Sequence, residues 1–216
     1  MNTSTPSSQL SVEEKNHFIF ISNLFVKLSR NDLYSWEKKL KHLLDEAEYE
    51  KAIEAVDTVA GDKEAARKHI RKAELYIVNY QFDDAKSHFK KAIAISPTYI
   101  IYLEIANTYR DLDKRPEALE YYNQCLTLAF SPEEEIEPLN NMSLIHFKNN
   151  DYPAAENSLS ELLLILRFLS AENPDVYLPI VAATLKSLGI VQKRLNAFPE
   201  AEASFSESLN ILKQLT

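Results

Sequence analysis

The sequence predicts an all-α fold of stacked helix pairs, and three observations carry that prediction. The 216 residues include only two glycines, Gly61 and Gly189, where average usage would give about 15. A strand-rich chain would draw on glycine at its tight turns. Alanine recurs at Ala52, Ala85, Ala118, Ala155 and Ala201, at separations of 33, 33, 37 and 46 residues. Each is followed four residues on by Val56, Phe89, Tyr122, Leu159 or Phe205, and three further by Val59, Ala92, Cys125, Leu162 or Ser208. These spacings place all three on one helical face. Finally, Pro116, Pro153 and Pro199 each stand two residues before a repeated alanine. Proline is tolerated in the first helical turn, where its missing N–H has no intrahelical partner, so a helix begins at each.

The elements follow in order. Residues 1–11 are polar, rich in Ser and Thr, and read as a disordered tail. Residues 12–32 form a helix opened by the capping box Ser11-Val12-Glu13-Glu14. Its apolar stripe of Phe18, Ile21, Phe25 and Leu28 is expected to pack on the following helices rather than on a membrane surface. A weak helix pair occupies 33–65, with Leu40 where the other copies have a small residue. Clear pairs occupy 66–98, 99–132 and 133–172. A longer one spans 173–216, its first helix starting near Pro174 or Pro179. In the first helices Ala73 and Tyr76 recur as Ala106 and Tyr109, Ser143 and His146, and Gly189 and Gln192. A small residue there lets two helices approach closely.

A helix–turn–helix unit of about 34 residues with this pattern resembles the tetratricopeptide repeat (TPR), whose signature is W-x2-L-G-x2-Y, A-x3-F, A and P. Ala73-x2-Tyr76 with Ala85-x3-Phe89, Ala92 and Pro97, and Ala106-x2-Tyr109 with Ala118-x3-Tyr122 and Pro132, carry the likeness. Leu188-Gly189 with Ala201-x3-Phe205 and the run 140–152 extend it, and Trp36 stands in the first aromatic column of the weak copy. The last copy is similar to the long-repeat, kinesin light chain-like class. The resemblance covers residues 33–215 and implies a right-handed superhelical α-solenoid.

Composition narrows the function. Lys and Arg total 24 against 32 Asp and Glu, a net charge of -8, which lacks the basic footprint of a nucleic-acid binder. Two distant glycines cannot build a P-loop or a dinucleotide fingerprint. No HExxH or H-x3-H spacing exists among His17, His42, His69, His88 and His146, so no metal site is expected. His69 and His146 fall in packing columns. Cys125 falls in a core column and cannot form an internal disulfide, in keeping with a reducing, cytoplasmic setting. The acidic run Glu133, Glu134, Glu135 and Glu137 follows Ser131-Pro132, where the helix dipole favours carboxylates. We find no stretch of about 20 apolar residues that would span a membrane. The expectation is a non-enzyme without cofactor or metal, and without nucleic-acid or membrane partners.

The resemblance implies that the first helix of each unit lines a concave binding face. The inward columns then hold Arg67, Ile70, Glu74 and Ile77; Ile100, Leu103, Asn107 and Arg110; Glu137, Asn140, Leu144, Phe147 and Lys148; and Lys186, Ile190, Lys193 and Arg194. An apolar floor with basic edges suits a protein or peptide segment with acidic groups. The family's carboxylate clamp needs Lys and Asn in fixed columns, and only Asn107 fits. Two functions stay open: an interaction scaffold, or a regulatory sensor whose superhelix changes curvature on binding a short signalling peptide. At the last helix, Phe205, Leu209 and Leu212 are expected to face into the repeat. Ile211 and Leu215 form an outer stripe where a weak homodimer could form.

Overall fold

The computed structural model describes residues 11–30, 34–59 and 64–215. The expected N-terminal tail, apart from Ser11, lies outside them. Every regular element among the described residues is helical: α1 (Val12–Lys27), α2 (Ser35–Asp45), α3 (Tyr49–Asp57), α4 (Ala65–Val78), α5 (Phe82–Ile95), α6 (Tyr99–Asp111), α7 (Arg115–Leu128), α8 (Pro132–Lys148), α9 (Tyr152–Glu172), α10 (Pro174–Arg194) and α11 (Phe198–Gln214). The fold is the TPR α-solenoid. Two compact units divide the chain, Met1–Ala118 and Leu119–Thr216.

One backbone feature sets the register in all five pairs. Ala47, Tyr80, Asp113, Asn150 and Asn196 have left-handed φ values of 56°, 60°, 55°, 58° and 62°. Each lies five residues before the repeated alanine of its pair. The residue after each closes a hydrogen bond back across the turn. The N–H groups of Glu48, Gln81, Lys114, Asp151 and Ala197 donate to the carbonyls of Leu43, Tyr76, Tyr109, His146 and Gln192, at 2.8–2.9 Å. This is the Schellman stop, which satisfies the last carbonyls of the first helix and reverses the chain into the second. None of the five positions is glycine.

In the first unit α2 packs on α3, α3 on α4 and α4 on α5. The repeated alanines Ala52 and Ala85, with Val56, Phe89 and Ala92, are buried. Leu40 is also buried, so the weak copy accommodates a large side chain in its small-residue column. The capping box of α1 forms as the sequence predicts. Ser11 N–H donates to Glu14 Oε2 at 2.8 Å, and Ser11 Oγ accepts from Glu14 N–H at 3.1 Å. The buried stripe differs from the expected one: His17, Phe20, Leu24 and Leu28 are buried, while Phe18 is 66% exposed and Ile21 and Phe25 are half-buried. Apolar residues occur on more than one face of this helix, and the seat of His17 selects the face.

In the second unit α8, α9, α10 and α11 pack in sequence. The core joins Leu139, Ala155, Leu159, Leu162, Leu166, Val181, Leu185, Leu188 and Val191. Pro174 opens α10, and Pro179 lies inside it, as Pro138 lies inside α8. A Cβ built on Gly189 would stand 2.8 Å from Phe205 Cε1, so the glycine serves close approach between α10 and α11.

Two expectations change here. Phe205, Leu209 and Leu212 are 37%, 52% and 46% exposed, whereas Ile211 packs on the core. The inward face of α11 is Ala201, Ser204, Ser208 and Ile211. Ser204 Oγ donates to Gln192 Oε1 at 2.8 Å and Ser208 Oγ to the Ala182 carbonyl at 2.7 Å. Helix α10 is also long and apolar enough to cross a membrane by length and composition, against the sequence expectation. Its apolar side chains Val181, Leu185, Leu188 and Val191 instead enter the core between α9 and α11.

Candidate peptide-binding surface

The inward columns fare differently in the two units. In the second unit, α8 carries Asn140, Leu144, Phe147 and Lys148, and α10 carries Lys186, Ile190, Lys193 and Arg194. Leu144 is 51% and Ile190 40% exposed. With Ser143, Phe147, Leu159, Ser187 and Val191 they line one cleft of about 130 Å³. Small-ligand pockets span several hundred Å³, so this cleft has room for an apolar side chain rather than a metabolite. Phe147 is held by a T-shaped contact with Tyr152 at 5.6 Å between centroids. Asn140, Lys148, Lys186, Lys193 and Arg194 are exposed. Lys186, Ile190 and Lys193 share one stripe of α10, four and three residues apart, so charge flanks the apolar opening.

In the first unit the same columns are largely closed. Ile70 and Ile77 are fully buried and cannot present side chains to a partner. Glu74 is buried as well, and Leu103 and Asn107 are half-buried. Arg110 is tied to Asn107 Oδ1 at 3.0 Å and to Asp111 Oδ1 at 2.8 Å. Ile100 remains 62% exposed.

Helix α1 lies against α4 and α6 in this unit. Its Lys27 Nζ reaches Glu74 Oε1 at 2.8 Å and Glu104 Oε2 at 3.2 Å. Behind that pair sits a buried guanidinium. Arg71 Nε donates to Glu37 Oε1 at 2.6 Å, and Arg71 Nη1 to Glu74 Oε2 at 2.6 Å and Glu104 Oε2 at 3.2 Å. Arg67 Nε adds a bond to Glu37 Oε1 at 2.9 Å and lies over the Tyr34 ring. Three cations thus meet three carboxylates. Burial would raise the Glu104 carboxyl, but Lys27, Arg71 and Arg67 hold it down at about 2. The sequence columns include Arg67 and Glu74 and miss Glu37, Arg71 and Glu104. The only local signal was the three-residue spacing of Arg71 and Glu74.

Chemistry elsewhere is sparse. Burial, then Glu137, pushes the Cys125 thiol up to about 12, far from a reactive thiolate. Among the described residues no group of three or more His, Cys, Asp or Glu gathers to hold a metal. His69 and His88 face each other through Nδ1 atoms 2.8 Å apart, one donating and one accepting.

Residues 100–132 match the sequence model of the tetratricopeptide repeat. No curated protein matches the chain in sequence. Among solved structures, the nearly identical TPR-like repeats of a candidate kinesin light chain from Podosopora anserina superpose with a TM-score of 0.59 at 14% identity, covering 83% of this chain and 94% of that one. BtubC from P. vanneervenii gives 0.57 at 16% identity over 95% and 93% of the two chains. YrrB, a TPR protein with an unusual peptide-binding site, gives 0.52 at 15% identity over 89% and 91%. The chain has the tetratricopeptide-repeat fold, and its residues 100–132 carry the sequence pattern of one such repeat.

Proposed function

We propose that this chain is a non-catalytic, cytoplasmic scaffold that binds a protein segment on the inner face of its second unit. One observation carries the reading: Leu144, Phe147 and Ile190 meet around a cleft sized for a side chain, with Lys186, Lys193 and Arg194 exposed on the same helix as Ile190. That arrangement fits an extended or helical segment with one apolar anchor and flanking carboxylates. The similarity to YrrB, a protein with a peptide-binding site, supports the class of ligand. The exposed stripe Phe205, Leu209 and Leu212 on α11 is a second docking face, suited to weak pairing with another copy.

Selection of displayed random peptides on the full chain tests this. Selected peptides should carry an apolar residue beside Asp or Glu. The double variant Lys186→Glu, Lys193→Glu should bind them at least about tenfold more weakly with thermal stability nearly unchanged, since exposed charge changes usually stay within about 0.5 kcal/mol. Basic peptides, or undiminished binding by the variant, would overturn the assignment. Scattering with and without a selected peptide separates scaffold from sensor, because only a sensor changes curvature.

A further inference from the structure

The first unit carries a second surface, and the chain itself shows what fits it. Helix α1 is seated on α4 and α6, first helices of consecutive repeats, where the columns for ligand binding fall. It is shallowly held: of its 16 residues only His17, Phe20 and Leu24 are buried. Val12, Phe18, Ile19 and Val26 point outward, each about half or more exposed. Its polar anchor is Lys27, placed between Glu74 and Glu104.

The seam is also imperfect. His17 Nδ1 and Arg71 Nη2 are buried without a hydrogen-bond partner, and such atoms cost free energy wherever they occur. His17 Nε2 lies 3.2 Å from the Val78 carbonyl, and its ring stacks on Tyr80. Tyr80 holds a left-handed backbone, unfavourable for a bulky residue. One orphan atom lies on α1 and the other in the cluster that receives Lys27, so α1 leaves hydrogen-bonding capacity of its own seat unused.

We infer that the inner face of the first unit is a binding site for an amphipathic helix, filled in cis by α1. The partner it fits is a helix with apolar residues matching Phe20, Leu24 and Leu28 and a Lys or Arg at the place of Lys27. Such a helix competes with α1 for the Glu74–Glu104 pair and leaves the second unit's cleft untouched. Basic partner helices and acidic segments are thereby sorted to different units.

The test uses the full chain and a fluorescein-labelled peptide of residues Ser11–Arg30. Wild-type amides of α1 should exchange with deuterium at least about a hundredfold faster than those of α4, as local opening predicts. A chain carrying Lys27→Glu, which sets a carboxylate against Glu74 and Glu104, should bind the peptide at least tenfold more tightly than wild type. A peptide carrying Lys27→Glu should lose binding to both. If Lys27→Glu reduces the helicity of the chain, Phe20→Ala with Leu24→Ala loosens α1 without adding charge and should give the same gain. Exchange of α1 only together with α4, or failure of every loosened chain to take the peptide, overturns the inference. So does a wild-type dimer that excess peptide leaves intact, since that assigns the face to a second copy.

Discussion

The ring of Tyr80 lies 3.8 Å from that of His17, nearly parallel to it, although 63 residues separate them in sequence. Tyr80 is the bulkiest of the five left-handed residues that stop the first helices. In three of the other pairs the position is Asp113, Asn150 or Asn196, types that tolerate this conformation. The stack with His17 gives the tyrosine a reason to be there. Tyr80→Asn should leave thermal stability nearly unchanged, because relief of backbone strain offsets the lost stack, while α1 amides exchange faster. Unchanged exchange would show that the stack does not hold α1.

Ala47 occupies the same left-handed position with no ring contact to justify it. A left-handed alanine costs about 1–2 kcal/mol, and glycine's extra chain entropy returns about 0.5–1. Ala47→Gly should therefore raise stability by about 0.5–1 kcal/mol in urea unfolding. A loss of stability would count against the backbone assigned to this turn.

Gly189 and Phe205 make a sign-reversing pair. Alanine is the better helix former by about 1 kcal/mol, but at this site its Cβ meets the Phe205 ring, and overpacking costs about 1–3 kcal/mol. Phe205 is partly exposed, so the ring can swing outward and the net loss should be about 0–2 kcal/mol. In a Phe205→Ala background the same Gly189→Ala change should stabilise by about 1 kcal/mol. The same sign in both backgrounds would refute the contact.

Arg71 is the centre of the six-charge cluster. Removing it takes away the buried cation that Glu37 and Glu74 share and leaves each only a partly exposed one, Arg67 or Lys27, so Arg71→Ala should cost about 3–5 kcal/mol. Lys27→Met retains the apolar stem at a partly exposed position and should cost about 1 kcal/mol or less. Equal losses in denaturant titrations would mean that the cluster does not act as described.

The His69–His88 pair sets a response to acid. Burial, then Lys91 and Lys72, lowers the His69 imidazole below its ordinary 6.5. Burial, His69, Lys91 and Lys72 bring His88 to about 4, while Asp57 opposes both shifts. Asp57 is itself paired with Lys72, and Tyr76 stacks on His88. Between the ordinary and the lowered values the unfolded chain binds more protons than the folded one. Stability is therefore complete above the ordinary imidazole value and falls as the pH drops from there to about 4. The pair can take one proton and keep its hydrogen bond, but a second sets two N–H groups against each other. The variant His69→Asn, His88→Asn should lose less stability on this acid limb, read from urea midpoints. Parallel limbs would exclude the pair as the cause.

The repeat register was legible because it is local and periodic. Prolines two residues ahead of Ala118, Ala155 and Ala201 mark the starts of α7, α9 and α11 to within a residue. The side chains around the second unit's cleft were legible for the same reason, since Leu144, Phe147 and Ile190 sit at repeat positions. The seat of α1 was not. It depends on Lys27 meeting Glu74 and Glu104, 47 and 77 residues away, and no periodicity reports a pairing that occurs once. The inward face of α11 was hidden by composition. Serines at 204 and 208 look like surface, yet their hydroxyls are satisfied against α10, leaving Leu209 and Leu212 outside and Phe205 at the edge, its ring against Gly189.

Helices α9 and α10 have 21 residues each, seven and eight more than α5 and α6. At 3.6 residues per turn, seven residues come within about 20° of two full rotations. The extension therefore returns α9 to its original angular phase, and the face that carries Ala155, Leu159, Leu162, Leu166 and Leu169 stays inward along the whole of α9. Length in this architecture is quantised: a unit can grow by whole pairs of turns without re-sorting its inner and outer residues, while an insertion of two would rotate everything beyond it by more than half a circle. The junction at Asn173 is thus a natural graft point, where a matched two-turn extension on both sides changes reach and leaves stacking alone.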